Sequence, residues 1–341
     1  MRLIRDAIHR FAETPVPDSV SRAAIRFLVA AARRKLADPP AGIESAFARE
    51  MSGRPIAEHT KAANDQHYEV PAAFFQACLG PRLKYSSCLY RTGKESLGEA
   101  EVIALTETCR HAGLADRQTI LELGCGWGSL SLWMAQAYRN TKITSVSNSS
   151  SQKAFIDRRA NALGLTNLTV ITADMNDFSI DQRFDRIVSV EMFEHMANWR
   201  GLLARTRGWL KPDGRLFLHV FSHVTSPYRF EVSDRDDWIA QYFFTGGVMP
   251  SHNLIRNFAD LYSVEENWRW SGSHYERTAL QWLENFDANQ DVIWPALVET
   301  YGRDAKVWKR RWRLFFLATA GLFGDRGGAE WGVSHYLLKP A

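Results

Sequence analysis

"TILELGCGWGSLSLWMAQAY" (residues 119–138) carries the stretch that decides the fold. An apolar run with β-branched character, Thr119 to Leu123, meets three glycines at Gly124, Gly126 and Gly128, and an amphipathic run follows at once. A strand that enters a glycine turn and leaves as a helix lets the backbone turn sharply and approach a ligand closely, at the carboxyl edge of a sheet. The same alternation continues on the C-terminal side: "KITSVSN", "SQKAFIDRRANALG", "LTVITAD", "FDRIVSVEM", "WRGLLARTRGWLKPDG" and "RLFLHVFS". Strands and helices alternating in this way predict a mostly parallel, doubly wound α/β sheet covered on both faces.

The glycine spacing narrows the ligand. A dinucleotide site wants GxGxxG and an acid about twenty residues on for the ribose. Here the spacing is GxGxG, Glu122 stands two residues ahead of Gly124, and the second strand ends in "SVSNSSSQ" with no acid. NAD is therefore disfavoured. The E-x-G-x-G-x-G pattern resembles motif I of the class I S-adenosylmethionine (SAM)-dependent methyltransferases, a Rossmann-like fold in which the acid helps hold a cationic ligand. A sulfonium and an ammonium are better received by Glu122 than a pyrophosphate would be.

The resemblance runs further. "NDQHYEVPAAFF" (64–75), "LKYSSCLY" (83–90), "GCGWGSL" (124–130), "FDRIVSVEMFEHM" (184–196) and "QYFFTGGVMPS" (241–251) look like the cyclopropane-fatty-acid synthase family. Within it they are most similar to the coclaurine N-methyltransferase type, which methylates benzylisoquinoline amines. Over residues 60–340 the resemblance implies SAM as cofactor and S-adenosylhomocysteine as product. It implies that Tyr85 and Ser86 contact SAM, that Gly124 and Gly126 face its methionine part, and that Ser147 and Gln152, with Asn148 in the same loop, reach the ribose. Asp174 and Met175, ending "VITADM", would flank the adenine. Ribose recognition would then rest on neutral hydrogen bonds.

"VSVEMFEHMANW" (188–199) is an apolar strand that runs into Glu191, Glu194 and His195. If the segment turns helical there, spacings of three and four bring all three side chains to one face. The resemblance assigns "EMFEH" to residues beside the substrate amine. The chemistry agrees, because an alkylamine is mostly protonated at pH 7, with a pKa of ~10 like a lysine's, and must lose a proton to present its lone pair. Glu194 and His195 are expected to do that work, His195 as base because its ordinary pKa is near ~6.5, while Glu191 positions the ligand.

Relatives in the same family methylenate lipid double bonds and hold a bicarbonate as base. The equivalent pocket here is Ser87, Glu194, His219, Phe221 and Tyr275. Ser87 stands where those enzymes usually show Cys, and Phe221 replaces a smaller aliphatic residue, which counts against bicarbonate. Glu191 occupies a position that is typically Gly or Ala in the lipid enzymes and Glu in the amine enzymes. An N-methyltransferase of a small, cyclic or aromatic amine is therefore expected, with transfer to unsaturated phospholipid chains as the rival. Tyr242, Phe243, Phe244, Trp268, Trp270 and Tyr275 could ring a cation, each at ~0.5–2 kcal/mol; of these, Phe243, Trp268 and Tyr275 are placed in the substrate pocket.

Composition bounds the rest. With 45% hydrophobic and 23% charged residues over 341 positions, the chain is that of an ordinary globular enzyme. The net charge of +4 is too small to announce nucleic acid, and no basic stripe with interleaved aromatics crosses the catalytic region. Residues 1–35 carry eight Lys/Arg against three acids. Residues 1–60, broken by "TPVPDS" and "DPPAG", predict a helical appendage that could cover the site, touch a membrane surface or pair two copies as a homodimer. Residues 61–341 would form the catalytic domain, with an α-rich, aromatic lid at about 226–330. Cys78, Cys88, Cys109 and Cys125 make no zinc or disulfide pattern, so no metal is expected and a cytoplasmic home fits.

Overall fold

Parallel strands buried on both faces need continuous apolar runs, and β1 (Thr119–Leu123) supplies one, with Ile120 to Leu123 buried throughout. In the computed structural model, which describes residues 15–58, 70–230 and 241–341, β1 pairs in parallel with β2 (Lys142–Ser147) and β4 (Phe184–Val190). β3 (Leu168–Thr172) extends the sheet beyond β2, and β5 (Leu210–His223) extends it beyond β4. β9 (Trp331–Pro340) then runs antiparallel to β5, and β8 (Tyr262–Ser271) closes the edge. The order is β3-β2-β1-β4-β5-β9-β8. The two further short strands, β6 (Tyr228–Arg229) and β7 (Val248–Met249), form a separate ribbon.

Helices cover both faces. α4 (Leu97–His111) starts at a capping box in which Ser96 and Glu99 satisfy each other's backbone N–H. α5 (Ser129–Ala137), α6 (Ser150–Ala162) and α7 (Trp199–Trp209) follow the strands as the alternation predicts. The preceding helices are α1 (Asp18–Leu36), α2 (Ile43–Met51) and α3 (Ala72–Cys78). Over one side of the sheet lies a cap of α8 (Gly272–Ala288), α9 (Gln290–Tyr301) and α10 (Ala305–Phe323).

Two elements sit otherwise than the sequence reading placed them. α1 does not stand apart: Ile25 and Val29 join the core of the cap, and Ile25 lies so close to Gly321 on α10 that a Cβ there would fall 2.4 Å from it. Arg313 on α10 binds both Asp18 and Asp287, tying α1 to α10 and α8. The span 226–330 likewise is not one continuous lid, because β8 within it is an edge of the main sheet. The aromatic-rich β8 lacks a clean period-two pattern, which hid it. The first part of the basic segment, with Arg2, Arg5 and Arg10, lies outside the described residues. Among those described, no helix is long and apolar enough to cross a membrane.

Candidate active site

The cleft opens at the carboxyl ends of β1, β2 and β4 and encloses about 1210 Å³ including its mouth. Its floor is the turn after β1. Gly124 has φ +79°, and a Cβ there would strike the Met192 side chain at 2.5 Å; Gly128, at φ +80°, begins α5 against Ile156. Gly126 differs, because a Cβ on it would meet nothing within 4 Å. The turn thus leaves open backbone facing the cleft, while its N–H groups at Gly124 and Cys125 are pinned to the Val146 carbonyl at 3.0 Å.

Around that floor the structure gathers Tyr85, Ser86, Glu122, Gly124, Gly126, Ser147, Asn148, Gln152, Asp174 and Met175, all of them in the cleft wall. Glu122 is buried and accepts hydrogen bonds from the Ser131 hydroxyl and, at 2.8 Å, the Ser145 hydroxyl. Burial pushes its pKa up to about 7. Ser147 donates to Gln152 Oε1 at 2.7 Å, which aims the amide nitrogen away from it. That Nε2, and the Trp127 indole N–H, are buried without a partner among the described residues. Buried polar atoms seldom stay unpaired, so the wall is built for a polar ligand, and donors at Gln152 and Trp127 suit a nucleoside with ribose hydroxyls and ring nitrogens. A carboxylate at Glu122 suits its cationic end.

The acidic motif is arranged differently from a helix face. β4 pairing continues to the Glu191 N–H, which donates to the His219 carbonyl at 2.8 Å. Glu191 itself then adopts φ +47°, a left-handed conformation that costs a residue with a Cβ about 1–2 kcal/mol. Only a single 3₁₀ turn, Phe193–His195, follows. The three side chains therefore do not share a helical face. Glu191 and His195 reach the cleft, whereas Glu194 is fully buried behind it.

The strained turn delivers the Glu191 carboxylate to a cluster of donors. Its Oε1 accepts from the Ser87 backbone N–H at 2.9 Å and from His219 Nε2 at 3.1 Å; its Oε2 accepts from the Tyr275 hydroxyl at 2.7 Å. Lys84, wholly buried with its ammonium on Ser86 Oγ and the Ser87 carbonyl, adds positive charge nearby. Glu194 accepts the Phe221 N–H at 2.6 Å, and its other oxygen has no partner among the described residues. Burial raises the pKa of both acids, and the Glu191 charge raises that of Glu194 further. Glu191, with three donors, is the ionised member, and Glu194 holds the proton. His195 stacks on Phe244 with ring centroids 4.4 Å apart.

Two residues expected in the substrate pocket lie elsewhere. Phe243 is fully buried in the cap, stacked on Phe315 at 4.4 Å. Trp268, on β8, stacks on the buried ring of His111 at 3.8 Å, away from the cleft wall. Both are large aromatics doing the packing that large aromatics usually do. Ser87, His219, Phe221 and Tyr275 do gather at the acid pair, although as its support. Sequence reading missed Lys84, His111 and His335. A lysine inside "LKYSS" was visible, but nothing local marks it as buried. Among the described residues no group of three or more His, Cys, Asp or Glu could hold a metal ion.

This sheet order, glycine turn and donor-lined cleft define a SAM-dependent methyltransferase of class I. The family "Mycolic acid cyclopropane synthetase" matches residues 57–327, and the chain belongs to it. It is 39% identical over 289 residues to an (S)-coclaurine N-methyltransferase of Thalictrum flavum subsp. glaucum, covering 83% of this chain and 80% of that one. A cyclopropane-fatty-acyl-phospholipid synthase of Escherichia coli (strain K12) is 31% identical over 270 residues, 79% of this chain and 66% of its own. The solved structure of coclaurine N-methyltransferase bound to N-methylheliamine and S-adenosylhomocysteine superposes with a TM-score of 0.94 at 34% identity, covering 98% of this chain and 99% of that one. The cyclopropane synthase MmaA2 of Mycobacterium tuberculosis shares the fold, with a TM-score of 0.71 at 22% identity over 84% of this chain and 100% of that one.

Proposed function

We propose that this methyltransferase acts on the nitrogen of a small cyclic or aromatic amine, with Glu191 as the group that receives the ammonium. One observation carries the reading. The donors that would hold a bicarbonate in a lipid-modifying relative, His219 and Tyr275 together with the Ser87 N–H, converge instead on the chain's own carboxylate. An anion built into the wall leaves no room for a second, and it attracts a cation.

Gly126, Gln152 and Glu122 would hold SAM, which would supply a sulfonium methyl to the nitrogen, the sulfur keeping the electron pair of the broken carbon–sulfur bond. The chain's part is to prepare the nitrogen. Glu191, ionised and facing the cleft, pairs with the ammonium and takes its proton, and the nitrogen keeps the freed electron pair. A carboxylate whose pKa burial has raised is a better base for that transfer than an exposed one. This moves the base role from His195, where sequence reasoning put it. His195, Phe244 stacked on it, and Phe221 packed against Phe244 orient the amine and support its charge. Four buried free cysteines support a reducing, cytoplasmic setting.

The test is label transfer from methyl-labelled SAM to a panel of cyclic amines and, in parallel, to vesicles of unsaturated phospholipid. Label is expected in the amine. Label entering lipid alone overturns the proposal.

A further inference from the structure

The loop between α3 and α4 is held in a strained shape that puts a lysine inside the protein. Leu83 has φ +53°, a left-handed conformation that is costly for a residue with a Cβ. The buried Glu101 of α4 accepts the N–H groups on either side of it, from Arg82 at 2.8 Å and from Lys84 at 3.0 Å. Strain of this kind persists only where the surroundings fix it. Lys84 is thereby turned inward and is only 2% exposed. Its ammonium donates to Ser86 Oγ at 2.5 Å and to the Ser87 carbonyl at 2.6 Å, both of them neutral acceptors. Among the described residues it makes no ion pair.

A lysine ammonium is a compact, strongly hydrated charge, and buried charges are as a rule paired. The titratable groups around Lys84 do not do the pairing. Glu101 is engaged by the two backbone N–H groups, and Glu191 by the Ser87 N–H, His219 and Tyr275. Burial pushes the Cys88 thiol up to about 12, so it carries no charge. Behind Glu191 three histidines form a chain, His219 Nδ1 meeting His335 Nε2 at 2.8 Å and His335 Nδ1 meeting His111 Nδ1 at 2.8 Å. Burial lowers the pKa of each ring, so the chain is neutral. The cleft itself is the remaining neighbour, because Lys84 and Ser86 both line it.

Among the described residues the cleft wall holds four carboxylates, at Glu58, Glu122, Asp174 and Glu191, and a single Lys or Arg, Lys84. SAM carries a sulfonium, an ammonium and a carboxylate. The acids suit the two positive groups and repel the third, so the carboxylate needs the one cation in the wall. Ser86 supplies the link. Its hydroxyl oxygen accepts from the Lys84 ammonium, which leaves its own hydrogen for another acceptor, and a hydroxyl held by a cation is a stronger donor to an anion. We propose that Lys84, acting through the Ser86 hydroxyl, is the cationic pole that receives the carboxylate at the amino-acid end of the cofactor. Lys84 is then a positioning residue, and the strained loop around Leu83 is what keeps its charge beside the cleft. The inference rests on SAM binding in this cleft and not on which acceptor takes the methyl group.

The experiment measures by calorimetry how full-length parent, Lys84→Met and Ser86→Ala bind two ligands. One is S-adenosylhomocysteine, and the other is its decarboxylated analogue, S-adenosyl-3-thiopropylamine, which keeps the ammonium and lacks only the carboxylate. The parent is expected to prefer S-adenosylhomocysteine by about 100-fold, the size of a charge-assisted hydrogen bond. Lys84→Met is expected to bind the decarboxylated ligand as the parent does and to lose nearly all of that preference. Ser86→Ala, a smaller change, is expected to lose about 10-fold of it and keeps the test open should Lys84→Met fail to fold. Equal affinity of the parent for the two ligands overturns the proposal. So does a full preference kept in both variants, which with a shifted pH profile of methylation would tie Lys84 to Glu191 alone. An equal loss of both ligands in Lys84→Met also overturns it, since that is what a purely structural lysine would give. Failure of the parent to bind either ligand would instead reject the cleft as the cofactor site.

Discussion

Replacing Glu191 by Gly separates what its carboxylate does from what its backbone costs. At φ +47° a glycine is relaxed where glutamate is strained, which favours the variant by about 1–2 kcal/mol. Against that, three donors lose their acceptor: the Ser87 N–H, His219 Nε2–H and the Tyr275 hydroxyl. The hydroxyl can rotate, but the two N–H groups are fixed and buried, and each unsatisfied donor costs on the order of 1–3 kcal/mol. The net expectation is a loss of roughly 2 kcal/mol, smaller than three lost charge-assisted bonds would suggest. The emptied position is shaped for one carboxylate, so formate should refill it. We expect the urea midpoint of Glu191→Gly to fall and to recover in formate, the parent's midpoint to stay put, and amine methylation to drop by about 100-fold or more. A variant as stable as the parent and indifferent to formate would show that the three donors do not depend on this carboxylate, and the argument for a built-in anion would fail with it.

Glu122 provides a pH signature. Its folded pKa of about 7 lies above the ordinary carboxyl value of 4.5, raised by burial. Its contribution to stability is therefore full below pH 4.5 and is lost as the pH rises through about 7. Glu122→Gln should flatten that part of the stability profile in melts taken across this range, and should remove the tightening of SAM binding expected as Glu122 ionises. Gly126→Ala should cost about 1–2 kcal/mol for its left-handed backbone, φ +50°, yet weaken SAM binding disproportionately by calorimetry, because the added methyl has only cleft in front of it. Phe243→Ala should destabilise by about 3–5 kcal/mol in denaturant titration and leave the amine KM unchanged, since its ring packs on Phe315 and not on the cleft.

How far the amino acids alone carry the analysis depends on the range of the physics involved. The strand, glycine turn and helix of residues 119–138, and the alternation after them, are local: side-chain period and the freedom of glycine at positive φ act within a few residues. Hence the sheet, the glycine turn after β1 and the polar loop at Ser147 and Gln152 were legible, as was the place of the "EMFEH" motif beside the cleft. Even there the helix expected from the spacing of Glu191, Glu194 and His195 did not form, because β4 pairing holds Glu191 until it must turn left-handed.

The electrostatics of the site belong to the tertiary structure. Glu191 is charged and Glu194 protonated because Ser87, His219 and Tyr275, far apart in the chain, point at one acid, while one oxygen of the other has no partner among the described residues. The histidine chain is less visible still. His111 and His335 are 224 residues apart, and each alone is an unremarked imidazole in a helix end or a strand. Only the pairing of β9 beside β5, and the packing of the α4 end against them, brings their nitrogens within 2.8 Å. Residue types and spacings therefore determined which fold and which cofactor; which carboxylate gathers the donors, and which rings stand behind it, were decided by strand pairing across the sheet, since hydrogen-bond partners and dielectric are set by neighbours in space.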